Sequence, residues 1–236
     1  EPLLAAGGVI FFDEIHRLKK PIQEVLFPAM EDGVLHYSSG KQNIMMPLRE
    51  GLIILAATTN PGSLLKPLLD RFTIQLRFQP YKTDEIVTLV QQSASRTNIE
   101  IDSDAVMLIA QRTRKNPRQA NHALTLSCML QPDKNEVLNE GHVNQTLTKF
   151  LGLDDKGLNN DDRMVLTTMV TQFSGEAVGI HALAAASKQE SDYYLSQIEP
   201  FLLEIGFIER SSQGRKISVA GFEYLQEKGI IEITVD

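Results

Sequence analysis

The chain has 236 residues, 42% hydrophobic and 22% charged, the composition of an ordinary water-soluble globular protein of about one to two domains. No apolar run approaches the roughly 18–20 residues of a membrane span, and the opening EPLLAAGG is not a targeting sequence, so a cytoplasmic protein with no membrane partner is expected. The formal charge of −7 is uneven: residues 1–153 hold 16 bases and 16 acids, residues 154–236 hold 7 and 14, so general attraction of the last third to nucleic acid is excluded and any contact there needs a local basic point.

Because the chain starts at Glu1, not Met, just before a strand, an N-terminal portion is expected to be missing. The single cysteine, Cys128, excludes an internal disulfide and is expected to pack inside a helical region. The histidines at 16, 36, 122, 142 and 181 are far apart and have no metal-ligand spacing.

Residues 9–12 (VIFF) read as a short buried strand of the parallel-sheet type. KPIQEVLFPAMED (20–32) follows as a helix, with Ile22, Val25, Leu26 and Met30 near helical spacing. The next stretch offers two strand-like pieces around Ser38-Ser39-Gly40, a hairpin signal. LIILAATTN (52–60) is a second buried strand, and residues 64–72 and 73–81 are expected as a short helix and a third strand.

Helices take over from Lys82. Thr83 is the expected N-cap of the first, residues 103–114 form the second, Pro117 opens the third, and residues 139–152 form a fourth closed by Gly152. LDDKGLNNDD (153–162) reads as a polar linker. Beyond it come helices at 162–173, 179–189 and 190–207, the last with Leu195, Ile198, Leu202 and Ile205 along one stripe. Two short strands around SSQG and a final helix at 220–228 complete the order of a winged helix-turn-helix.

Four places carry chemistry. An apolar strand ending in Asp13-Glu14 sets two carboxylates at the carboxyl edge of a sheet, where ligands of α/β folds bind. In nucleotide hydrolysis one such acid supports magnesium and the other acts on the attacking water, although strand-end acids are also ordinary helix caps. The second strand ends in AATTNPG, so its hydroxyls reach the same edge if the strands are neighbours. Arg71 in LLDRF sits where a guanidinium could reach a phosphate on a neighbouring subunit, or make a surface salt bridge. Arg118 falls in the first turn of the helix opened by Pro117, a position that the helix dipole favours only for anions, which makes sense beside a bound phosphate.

VIFFDEIHRL, EVLFPAMED, AATTNPG, PLLDRF, NPRQAN and EPFLLEIGFIER…GR follow in order the pattern of the RuvB family, and the chain resembles these bacterial Holliday-junction branch-migration motors of the AAA+ ATPases over essentially its whole length. The resemblance implies an α/β fold: a partial AAA+ P-loop NTPase core (1–79), a helical lid (80–153) and a C-terminal winged-helix DNA-binding domain (154–236). It further implies ATP and magnesium as cofactors. Asp13 and Glu14 match the Walker B acids, Asp13 on magnesium, and Thr59 resembles sensor 1. Glu31, Asp32 and Gly33 border the nucleotide, although an aromatic is common where Gly33 stands. Arg71 resembles the arginine finger, Tyr81 a nucleotide-contacting tyrosine, and Arg118 sensor 2, while Arg210, Arg215 and Lys216 fall on the wing as DNA contacts. The partners implied are double-stranded DNA at a Holliday junction, a RuvA-like protein docking on the hairpin at 34–50, a RuvC-like resolvase, and further copies in a homohexamer acting in recombination, repair and the SOS response.

The chain also departs from the family pattern. The phosphate-cradling G-x-x-x-x-G-K-[ST] is absent from the 236 residues, Lys115-Asn116 replace the usual Gly-Thr, and Gln213 stands where another arginine is common. ATP binding by these residues alone is therefore not expected. Two other readings follow: a non-catalytic DNA-binding or assembly module, and a different AAA+ machine such as a clamp-loader-like factor, against which the winged-helix ending argues.

Overall fold

A computed structural model of the protein describes residues 8–39, 42–48, 50–133 and 135–231. The chain forms two compact units that divide between Phe78 and Gln79. No helix among the described residues is long and apolar enough to cross a membrane.

The first unit runs β1 (Val9–Phe12), α1 (Lys20–Asp32), β2 (Val34–Ser39), β3 (Gln42–Pro47), β4 (Ile53–Ala56) and α2 (Lys66–Asp70). β1 and β4 pair in parallel, Val9 opposite Ile53 and Phe12 opposite Ala56. One face of this pair sends Phe12 and Ala56 toward a small core of Ile15, Leu26 and Leu68. On α1, Leu26 and Ala29 are buried with Gln23, whereas Ile22, expected on the inner stripe, is exposed. Gln23 earns its burial by hydrogen bonding: its amide donates to the Leu18 carbonyl at 2.8 Å and accepts from the Leu65 N–H at 2.9 Å, holding the loops at both ends of the core. The expected hairpin forms, β2 antiparallel to β3 with Val34 opposite Pro47 and Ser39 opposite Gln42; Gly40 of its turn lies outside the described residues.

The third strand expected at 73–81 does not form. Its alternating Ile74, Leu76 and Phe78 are all exposed, Phe78 at 89%. A strand exists through its ladder, and among the described residues no strand of any sheet pairs with 73–81, so the alternation alone makes no strand.

The second unit contains α3 (Thr83–Arg96), α4 (Ser103–Arg112), α5 (Pro117–Leu130) and α6 (Glu140–Gln145), the last continuing through a π turn at Thr146–Phe150. Ile86, Val90, Ile109, Leu124, Leu138 and Leu147 form the core of these helices. α3 begins one residue earlier than expected: Lys82 is the cap residue, and its N–H donates to the Glu85 carboxylate at 2.7 Å. Cys128, expected inside, is half-buried.

A second core, including Leu166, Met169, Leu183, Tyr194, Ile198 and Leu202, is built by α7 (Asn160–Thr171), α8 (Ile180–Ala186), α9 (Ser191–Tyr193) and α10 (Glu199–Glu204), then β5 (Ile208–Ser211), β6 (Gly214–Ile217) and α11 (Val219–Glu227). A π turn at Tyr194–Ile198 joins α9 to α10. It changes the expected stripe: Tyr194, Ile198 and Leu202 are buried, while Leu195 is exposed. β5 and β6 pair antiparallel as a wing, and Val178 bridges to Arg215 alongside.

The segment 153–162, expected as a linker, is a packed joint. Asp154 accepts from the Leu158 N–H, and Arg163 reaches Asp154, the Gly152 carbonyl and the Leu158 carbonyl, with Leu158 fully buried. Arg114, two residues past the end of α4, pairs with buried Asp162, donates to the Gly157 carbonyl at 3.1 Å and lies 4.2 Å over the Phe201 ring. The polar composition reads as solvated loop because each Asp and Asn looks alone; here Asp154 and Asn160 accept from Arg163, Asp162 from Arg114, Asp155 from Lys228, and Asp161 from Gln189 and Tyr193.

Candidate functional site

Parallel pairing brings the ends of β1 and β4 side by side. The Ala57 N–H donates to Phe12 at 2.9 Å and the Ile15 N–H to Ala57 at 3.0 Å, so the acids after β1 lie beside the threonines after β4. Glu14 has φ +50, a left-handed conformation that turns the chain sharply out of the strand and is costly for a side chain other than glycine. Its carboxylate accepts both the Thr59 N–H, at 3.1 Å, and the Thr59 hydroxyl, at 3.1–3.2 Å. The Thr59 backbone bond, assisted by its hydroxyl and by His16 and Arg17, holds the Glu14 carboxyl below its ordinary 4.5 despite partial burial.

His16 was not anticipated from its position in DEIHRL. Its Nδ1 lies 2.9 Å from the Thr58 hydroxyl and 3.0 Å from the Glu14 carboxylate, so it fastens the two strand ends together. The Thr58 hydroxyl in turn accepts the Asn60 N–H at 3.0 Å. Asp13 is exposed beside this cluster. No group of three or more His, Cys, Asp or Glu side chains among the described residues converges as a metal site. The acids and threonines suit the hydrolytic side of a nucleotide site, whereas the sequence contains no phosphate cradle.

Two further expected residues meet in the same unit. Arg71, the C-cap of α2, forms an ion pair with Glu31 near the end of α1. Asp32 is exposed, and Gly33 ends α1 at φ +67 with its N–H on the Ala29 carbonyl. This left-handed cap is the physical reason for glycine at this position.

The remaining residues lie in the second unit. Tyr81 is exposed ahead of α3. Arg118 occupies the second position of α5, exposed, with its N–H on the Asn116 side chain at 2.9 Å. On the wing, Arg210 and Arg215 both pair with one carboxylate, Glu199, which is fully buried. Arg210 remains 57% exposed; Arg215 is only 17% exposed, turned inward. Lys216 is half-exposed and lies 3.7 Å from Glu176. Burial alone would raise the Glu199 carboxyl, but hydrogen bonds from Arg210 and Arg215 outweigh it and leave the group lowered. Glu199 escaped the sequence reading because an acid beside an apolar stripe ordinarily faces water; its signal was the EPF that interrupts that stripe.

Known proteins share the fold that carries these residues. The model of the RuvB P-loop domain (Holliday junction DNA helicase RuvB) matches residues 3–78, and that of the RuvB C-terminal winged helix domain matches residues 155–226. The Holliday junction branch migration complex subunit RuvB of Pediococcus pentosaceus is 36% identical over 229 residues, covering 94% of this chain and 67% of its own length. The subunit of the same name from a Picosynechococcus strain is 36% identical over 230 residues, but the chain spans only 62% of that relative. Among solved structures, the Thermotoga maritima RuvB Holliday junction branch migration motor superposes with a TM-score of 0.80 at 33% identity, covering 95% of this chain and 72% of that one. The fold is thus an AAA+ P-loop domain, represented here without its cradle motif, with a C-terminal winged helix. Matched at both ends, and at this identity over most of a relative's length, the chain belongs to the RuvB family.

Proposed function

We propose that the chain is the Walker B, sensor and DNA-gripping portion of an ATP-driven motor for Holliday-junction branch migration. The observation that carries this reading is Glu14 held by Thr59 at the adjoining ends of two parallel strands, in a chain that ends in a winged helix. In it, Glu14 orients or deprotonates water, Asp13 holds magnesium, and Thr59 helps to orient that water against the γ-phosphate. Bound magnesium neutralises charge on the β- and γ-phosphates. Arg71 leaves Glu31 to reach a neighbouring subunit's nucleotide, Glu31, Asp32, Gly33 and Tyr81 border the nucleotide, and Arg118 couples its state to the helical part. Arg210, Lys216 and, from inside, Arg215 serve duplex DNA; few contacts per subunit give weak, salt-sensitive grip, which a homohexameric ring would multiply. The hairpin, with Ile44 and Met45 exposed, suits docking of a RuvA-like protein, and a RuvC-like resolvase would act on the same junction in the cytoplasm.

A second reading, a DNA-binding or assembly module without catalysis, rests on the winged helix matched at residues 155–226. The two separate in one titration with a fluorescent ATP analogue and magnesium. The motor reading expects no saturable binding by this chain, and binding with turnover once it is joined to the P-loop portion of the Thermotoga protein. Glu14→Gln should then lower turnover by about 10²–10⁴-fold. No turnover by the joined protein would leave the module reading standing.

A further inference from the structure

Glu199 has a place in the fold that neither its apolar surroundings nor ordinary helix chemistry requires. It opens α10 directly after the π turn, and its carboxylate is withdrawn completely from solvent. A π turn adds a residue to the helical register, and such turns recur at functional sites. Here it sets Glu199 in the buried row beside Ile198 and Leu202 and toward the wing. Arg210 of β5 binds it through two parallel hydrogen bonds, Nε to Oε1 at 3.1 Å and Nη2 to Oε2 at 2.9 Å. Arg215 of β6 donates its Nε to the same Oε1. These two arginines are also directly opposite each other in the wing ladder.

We propose that Glu199 is a positioning residue for nucleic-acid contact: it fixes the Arg210 guanidinium so that its outer edge is presented to a backbone phosphate. A guanidinium has five N–H donors in a rigid plane, so two can engage the carboxylate while the outer ones remain for a second planar or tetrahedral anion. The exposure of Arg210, against the inward Arg215, marks which of the pair can do so. Arg215 supports the other side of the carboxylate and ties β6 to it. A flexible arginine would lose more side-chain freedom on meeting a phosphate; one already held flat loses less.

This inference rests on the wing touching DNA, and the experiment separates the two. Binding of a fluorescein-labelled DNA duplex by the full chain is measured across a salt series for the wild type, Arg210→Ala, Arg210→Lys and Glu199→Gln. Arg210→Ala is expected to weaken binding about tenfold and to reduce the slope of log affinity against log salt by about 1. Glu199→Gln makes the domain one charge more positive, so bulk electrostatics alone would tighten binding; positioning requires it to weaken toward the Arg210→Ala value. Arg210→Lys keeps the charge on an exposed side chain but cannot make the paired bonds, and is expected to resemble Arg210→Ala even if Glu199→Gln fails to fold. Wild-type affinity for Arg210→Lys, or unchanged or tighter binding by folded Glu199→Gln, would overturn the positioning role while leaving DNA contact intact. Undiminished binding by Arg210→Ala would overturn the wing reading itself.

Discussion

Single residues in this chain hold conformations that their types ordinarily avoid, and these mark where the fold is most constrained. Arg114 and Lys115 both have φ +53, yet each is retained by a partner: Arg114 by Asp162, Gly157 and Phe201, and Lys115 by Glu204. Glycine is the residue for which this conformation carries no penalty, so Lys115 holds it against its type. Gly214 shows the opposite case. It starts β6 at φ +140, and a β-carbon there would lie 2.3 Å from the Val178 carbonyl oxygen, a backbone atom that is itself bonded to Arg215. Gly214→Ala is therefore expected to destabilise the winged helix by about 2–3 kcal/mol, read as a lower denaturant midpoint. An unchanged midpoint would mean that the wing does not pack against Val178 in this way.

At the scale of elements, caps and pairings decide where each candidate residue points. α5 begins at Pro117 because proline lacks the N–H that a first helical residue cannot use, and Asn116 accepts the next two N–H groups, from Arg118 and Gln119, at 2.9 and 3.2 Å. Its side chain thus fixes the first turn on which Arg118 is carried. Asn116→Ala should cost about 1 kcal/mol of stability, measured by thermal unfolding. The parallel pairing of β1 with β4 does the same for the candidate acids: slipping it by one residue would reverse which faces Phe12 and Ala56 bury and would part Glu14 from Thr59.

Across the molecule, the acidic excess of residues 154–236 proves to be internal wiring as well as surface. Asp154, Asp155, Asp162, Glu199 and Glu204 are paired with Arg163, Lys228, Arg114, the two wing arginines and Lys115. Two of those bases, Arg114 and Lys115, immediately precede the helix that carries Arg118, so the start of α5 and the winged helix are joined through the same few side chains. Asp162→Ala removes the buried acceptor and leaves Arg114 with the Gly157 carbonyl and the Phe201 ring. The expected loss is about 3 kcal/mol, with faster proteolysis in 153–162 than in the wild type. Equal proteolysis would indicate that the joint does not depend on that pair.

The order of motifs from DEIHRL to the wing, the apolar strands, the proline-opened helix and the family were legible from the amino-acid sequence, because each depends on local spacing and residue type. Asp13 and Glu14 could be named from a strand end and Thr59 from the resemblance, yet the meeting of Glu14 with Thr59 could not, since it depends on which strands become neighbours. The third strand at 73–81 failed for the same reason: alternation supplies a face but not a partner. The linker at 153–162 became a joint through Arg163 beside it and through Arg114 and Lys228 far along the chain, and Glu199 became the buried partner of the wing through Arg210 and Arg215. Burial of a charge depends on a counter-charge delivered in three dimensions, and no local pattern around an acid records where that arginine will come from.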